Sequence, residues 1–214
     1  ICNIKGGKMK KVRIAVDGFD GTGKTTLINK LVQDYEGTYS ALVERLIPSS
    51  VELFKKFANN TQGYADKMTD QFRVTSYLWE SYLRLELKKE IYDQIDIVFF
   101  DRWIFTNLTK PINFQKDEQI VSYVISSIPK PDLVFFIYTS EDNIIKHLKE
   151  KDDWMLTMYT EDEILVKMHE FYKMYEELLK KYSFNYVVLD GNDSIESINR
   201  IMKNEIDNLI NGLQ

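Results

Sequence analysis

A lysine, three threonines and three glycines fall within nine residues near the start of the chain, Gly18-Phe19-Asp20-Gly21-Thr22-Gly23-Lys24-Thr25-Thr26. Gly18, four further residues and then Gly23-Lys24-Thr25 is the spacing at which a backbone loop wraps the phosphates of a nucleoside triphosphate. The glycines let the chain turn so that successive N–H groups point inward, and a helix starting at once adds its positive end to the same anion. In such a loop Lys24 reaches the β- and γ-phosphates and the Thr25 hydroxyl takes one place on a magnesium ion. ATP and Mg2+ are therefore the expected cofactors, with residues 18–26 as the ATP site. Lys24 is expected to face solvent while that site is empty. Further along, Asp101-Arg102-Trp103 closes an apolar run. A carboxylate placed there can hold magnesium, directly or through water, or orient an attacking oxygen, and the guanidinium can grip a phosphate with two hydrogen bonds. A buried structural ion pair is the alternative. Lys24, Asp101 and Arg102 are the candidate catalytic residues, and Thr25 and Asp101 the candidate metal ligands.

The longer run Asp17-Gly18-Phe19-Asp20-Gly21-Thr22-Gly23-Lys24-Thr25-Thr26 resembles the phosphate loop of the thymidylate kinases: an acidic residue, Gly, any residue, Asp, Gly, any residue, Gly-Lys and two hydroxyl residues. Asp101-Arg102-Trp103 resembles that family's Asp-Arg-[Tyr/Phe] motif, with Thr106 where the family has Ser. The resemblance covers most of the chain after Met9. It implies transfer of the ATP γ-phosphate to a nucleoside monophosphate, with thymidylate-like acceptors as the first expectation. It also implies that Asp20 faces the acceptor sugar, that a long helix carrying Phe72, Arg73 and Glu80 lines the acceptor pocket, and that a lid near 149–160 closes over the phosphates. From residue type alone, the alternative for Asp20 is an ordinary turn residue.

Several positions depart from the family pattern. Glu44-Arg45-Leu46-Ile47-Pro48 stands where the family has Arg-Glu-Pro-Gly, so Glu44 and Arg45 either hold the acceptor or ride on a solvated loop. Glu80 falls where the family carries a base-reading Arg, and Lys110-Pro111 where it has Tyr-Gln. A carboxylate accepts hydrogen bonds, so a pocket-facing Glu80 would suit an exocyclic amino group better than a thymine carbonyl. No arginine occupies the lid; Lys146, Lys149 and Lys151 are its local cations.

These groups need elements to carry them. Val12, Ile14 and Val16 precede the phosphate loop as a strand, and Leu27, Ile28 and Leu31 follow it at helical spacing. A short strand is expected over Tyr39–Val43. A helix over Ala65–Ile91 is expected to turn Met68, Phe72, Thr75, Trp79, Leu83, Leu87 and Ile91 inward, one apolar position every three or four. The runs 95–100 and 133–138 read as buried parallel strands and 184–190 as the last strand, with Thr160-Glu161-Asp162-Glu163 as a capping box that opens a long helix. Strands alternating with helices predict a three-layer α/β/α sandwich, a P-loop nucleoside triphosphate hydrolase fold with a five-stranded parallel sheet. The strand order 2-3-1-4-5 is implied by the family resemblance.

The chain has 214 residues, 44% hydrophobic and 29% charged, which suits one domain with a substantial core. A net charge of −5 lacks the basic footprint of a nucleic-acid surface. The single Cys2 allows no internal disulfide, no apolar run is long enough for a membrane, and the cytoplasm is the expected setting. Residues 1–8 are read as a leader outside the kinase domain of 9–214. A homodimer is compatible with the sequence. Neither His147 nor His169 has a neighbour at metal-ligand spacing. Two other functions stay open: a kinase of deoxynucleosides or another small hydroxyl compound, with Glu44 as base, and a degenerate nucleotide-binding protein. A GTPase switch is disfavoured because no Asn-Lys-x-Asp signature comes after the loop.

Overall fold

Runs that are apolar at nearly every position belong at the centre of a parallel sheet, where helices cover both faces. The computed structural model, which describes residues 10–46, 49–57, 69–108 and 114–212, places them there. In chain order the elements are β1 (Val12–Gly18), α1 (Lys24–Tyr35), β2 (Ala41–Arg45), α2 (Ser50–Phe57), α3 (Asp70–Leu87), α4 (Lys89–Tyr92), β3 (Ile97–Asp101), α5 (Phe105–Leu108), α6 (Phe114–Ser127), β4 (Leu133–Tyr138), α7 (Glu141–Glu150), α8 (Met155–Met158), α9 (Glu161–Lys181), β5 (Tyr186–Asp190) and α10 (Ile195–Ile210).

The five strands pair in the order β2-β3-β1-β4-β5, all parallel, as expected. Every residue of β3 is buried, and β1 exposes none fully. One face packs on α1 and α10 through Leu27, Leu31, Ile198 and Met202. The other packs on α3, α9 and neighbouring helices through Val98, Phe100, Phe136, Leu78 and Tyr175. At β1 the order reverses, with β3 on one side and β4 on the other. In an open α/β sheet this reversal leaves a crevice beyond the carboxyl ends of the strands, where ligands bind. Gly18 and Asp101 end two neighbouring strands at that edge, with Val16 registered opposite Asp101.

Local signals set the helix ends. Thr160 accepts from the Glu163 N–H while the Glu163 carboxylate takes the Thr160 N–H, so the capping box forms. The Ser194 side chain caps α10.

Two expectations fail. β2 runs to Arg45, two residues beyond the expected Val43, so Glu44 and Arg45 lie on a strand rather than in the loop after it. The long helix is split at Lys88 into α3 and α4, and it is rotated from its expected orientation. Val74, Tyr77, Leu78, Ser81 and Leu85 are buried, whereas Phe72, Trp79, Leu83, Leu87 and Ile91 are exposed. Both faces carry apolar residues three or four apart, so periodicity identifies the helix without choosing its inward face. The choice falls to the face that presents Leu78 and small Ser81 to the core. Met68, Lys110, Pro111 and residues 1–8 lie outside the described residues.

Candidate active site

Gly18 leaves β1 so close to β4 that a Cβ on it would lie 2.7 Å from the Ile137 carbonyl oxygen and 2.9 Å from Thr22 Oγ1. Only glycine fits there. Gly21 and Gly23 take φ values of 87° and 82°, the left-handed region that other residues enter at a cost. The resulting loop delivers Lys24 and Thr25 to the start of α1. Thr25 and Thr26 are exposed there, while the Phe19 ring turns into the core against Phe171, with ring centroids 5.7 Å apart. Phe19 thus serves the loop through its backbone.

Lys24 is buried, contrary to the expected solvent-facing position. Its Nζ donates to the carbonyls of Gly18 (2.9 Å) and Phe19 (2.6 Å) and lies 3.2 Å from Thr22 Oγ1. An ammonium in a cramped loop folds back because the carbonyls replace the water it has lost. Burial, followed by the nearby Arg102 charge, pushes its pKa down to about 7, against the opposing pull of Asp20, Asp17 and Asp101.

Asp17 organises the loop from below. Fully buried, it accepts from the Gly18 N–H (2.8 Å), the Trp103 N–H (2.9 Å) and the Thr106 hydroxyl (2.7 Å). One carboxylate therefore ties the phosphate loop to the Asp-Arg-Trp turn after β3. The family pattern marks this position only as acidic, and its bridging role has no signature in spacing. Asp17→Ala takes the acceptor from the buried Gly18 and Trp103 N–H groups and breaks the tie to the half-buried Thr106 hydroxyl, an expected loss of about 3 kcal/mol. For a chain of this size that lowers the melting temperature by about 10 °C. A shift below about 2 °C in a calorimetric scan would contradict the bridge.

Thr25 and Asp101, the two candidate metal ligands, are in contact. The Thr25 hydroxyl donates to Asp101 Oδ2 at 3.0 Å, and Arg45 Nε lies 3.9 Å from the same oxygen. A hydroxyl and a carboxylate are hard oxygen donors of the kind magnesium takes alongside waters and phosphate oxygens. Arg102 and Asp20 form an ion pair beside them. The Arg102 backbone sits at φ 74°, an uncommon conformation for a non-glycine residue and one that concentrates at functional sites. Its N–H donates to the Val16 carbonyl (3.0 Å), which fixes the turn.

The remaining candidates lie around β2 and α3, and the structure separates them. Neighbouring strand residues face opposite ways, so Arg45 leans toward Asp101 while Glu44 turns to α3. Glu44 is buried, 2.6 Å from Lys88 Nζ and 3.7 Å from Arg84 Nη1, and it does not ride on a solvated loop. Glu80 pairs with Arg84 Nη2 at 2.8 Å and accepts from the Ser49 N–H at 2.5 Å. Arg84 in turn donates to the Arg45 carbonyl (2.7 Å) and the Ser49 hydroxyl (2.8 Å). Together Glu80 and Arg84 hold Ser49 and the end of β2. Phe72 is half exposed and packs on Phe54 of α2 at 6.0 Å, and the Arg73 side chain lies outside the described residues. Only the tertiary fold brings Arg84 and Lys88 to β2.

The protein-family model for thymidylate kinase matches residues 16–201, which include both clusters. The chain belongs to the thymidylate kinase family. It is a phosphotransferase, a nucleotide kinase, and is similar to a probable thymidylate kinase of Sulfurisphaera tokodaii, at 27% identity over 86% of this chain and 90% of that one. A thymidylate kinase of Danio rerio is 24% identical over 92% of this chain and 90% of its own. Among solved structures, a deoxyadenosine kinase from M. mycoides with bound dATP superposes with a TM-score of 0.62. It is 17% identical, covering 91% of this chain and 99% of that one, a likeness of fold. Among the described residues of this thymidylate kinase family member, no helix is long and apolar enough to cross a membrane, and no group of three His, Cys, Asp or Glu side chains could hold a metal ion.

Proposed function

We propose that the protein transfers the γ-phosphoryl group of ATP, with Mg2+, to a deoxynucleoside monophosphate, with thymidylate as the first candidate. The observation that carries this reading is the Asp20–Arg102 pair set beside Lys24 and the Thr25–Asp101 contact. Phosphoryl transfer needs positioning and charge neutralisation more than covalent chemistry from the protein. Lys24 exchanges its loop carbonyls for the β- and γ-phosphates. Thr25 and Asp101 would hold magnesium, which would neutralise charge on the donor phosphates. Arg102 releases Asp20 to grip the acceptor phosphate, and Asp20 is then available to the acceptor sugar.

A nucleoside acceptor would give Arg102 no phosphate to bind, and Glu44, the base which that chemistry needs, is already committed to Lys88 and Arg84. Titrating deoxynucleosides against their monophosphates tests the choice: monophosphates are expected as the better acceptors, and a preference for nucleosides overturns it. We assign Glu80 to the acceptor indirectly, through the segment it holds at Ser49. Glu80→Gln is then expected to raise the acceptor KM roughly tenfold, the loss of about one charge-assisted hydrogen bond, without reordering base preference. A reordered preference would mean that Glu80 reads the base. The lid of 149–160 contains Lys149, paired with Glu161 at 2.7 Å, and Lys151, which is exposed. We assign charge neutralisation during closure to these lysines, a role checked by the kcat of alanine variants. The exposed apolar stripe of α3 supports a homodimer, checked by molar mass in solution.

ATP affinity is expected to fall as pH rises above about 7. In the empty site Lys24 loses its proton near that pH. Bound phosphates favour the charged form, so binding at higher pH must take up a proton, costing up to about tenfold per pH unit. Calorimetry at pH 8 in buffers of different ionisation enthalpy should reveal that uptake. Identical heats in all buffers would contradict it.

A further inference from the structure

We propose that His147 is a positioning residue for the donor nucleotide: it holds the Gly21 carbonyl outward and so turns the Thr22 N–H into the phosphate loop. The inference rests on reading residues 18–26 as the ATP site.

His147 lies on α7, outside the groups described above, with Nδ1 2.8 Å from the Gly21 carbonyl oxygen. A carbonyl oxygen can only accept, so Nδ1 must carry the proton, and the tautomer is set by this contact. α7 presses on the loop at the same point. A Cβ added to Gly21 would lie 3.5 Å from the Ile144 carbonyl oxygen, 3.6 Å from His147 Cβ and 3.6 Å from Leu148 Cδ2. The imidazole is half-buried at this seam.

Peptide geometry carries the effect into the loop. The chain has no cis peptide among its described residues, and in a planar trans unit C=O and N–H point in opposite directions. Fixing the Gly21 oxygen toward α7 therefore directs the Thr22 N–H away from α7. The N–H groups of Gly21, Thr22 and Gly23 donate to no protein acceptor among the described residues, as donors kept for an anion must. Gly21, at φ 87°, has the backbone freedom to flip this peptide at little cost. An external hydrogen bond selects one orientation before the ligand arrives, and such preorganisation is what makes backbone donors effective toward phosphate.

Two substitutions separate the hydrogen bond from packing. His147→Asn keeps a donor near the place of Nδ1, whereas His147→Leu keeps bulk without a donor. The Leu variant is expected to raise the ADP Kd and the ATP KM roughly tenfold, with the acceptor KM unchanged, and Asn to restore both to within about threefold. Nitrogen NMR of the wild-type imidazole at pH 8 is expected to show the Nδ1–H tautomer. A Leu variant that binds ADP like wild type, or an Asn variant as weak as Leu, overturns the proposal. If the Leu variant does not fold, the tautomer decides, since an Nε2–H imidazole would leave the Gly21 carbonyl without its donor. Wild-type protein that binds no ADP overturns the donor-site reading and this inference with it. Normal wild-type binding with an unaffected Leu variant overturns this inference alone.

Discussion

Lys24→Ala is expected to reduce kcat by a factor of about a hundred to a thousand while the protein stays folded, since one preorganised donor to transferring charge contributes about that much. The geometry makes the two effects separable. In the empty protein the ammonium is buried among loop carbonyls and the hydroxyl of Thr22, an arrangement that costs desolvation as well as gaining hydrogen bonds. Removing it relieves that cost and leaves carbonyls that water can reach through the vacated space. The melting temperature should therefore move by only a few degrees, about 1 kcal/mol or less. Collapse of the fold in that variant would make Lys24 a structural cation. Unchanged turnover would remove it from the reaction.

Asp101→Asn is the second large effect. The amide keeps the shape of the side chain and can still accept from the Thr25 hydroxyl, 3.0 Å from the native carboxylate. The negative charge that would hold magnesium beside the phosphates is lost. A fall in kcat of about a hundredfold or more is expected, together with a higher Mg2+ requirement, whereas binding of metal-free nucleotide changes little. Measuring kcat against Mg2+ concentration checks it. Equal losses in nucleotide binding and kcat would reduce Asp101 to a packing role.

The sequence carries the phosphate-loop part of the candidate site and says less about the part around β2 and α3, for a physical reason. A phosphate loop is local: Gly18, Gly21, Gly23, Lys24 and Thr25 are set by turn and helix-start chemistry within a few residues, so spacing reveals them. Asp101 and Arg102 are legible because a buried strand must end where its apolar run ends, next to β1. Glu44, Glu80, Arg84 and Lys88 come together only when α3 packs across β2, and the pattern along α3 supports two opposite faces. Periodicity alone therefore points as readily to Phe72, Trp79 and Leu83 as the inward face, and the structure leaves these exposed. Lys24 shows a different limit. Its residue type and place are evident in the loop motif, but its burial depends on how the loop closes over it.

The central claim is tested most directly by ADP release in a coupled assay, with ATP, Mg2+ and each common nucleoside and nucleoside monophosphate offered in turn. The account predicts Mg2+-dependent release that rises with deoxynucleoside monophosphates, thymidylate foremost, and is lost in Lys24→Ala and Asp101→Asn. Release that ignores every monophosphate, or that responds to nucleosides alone, would contradict it.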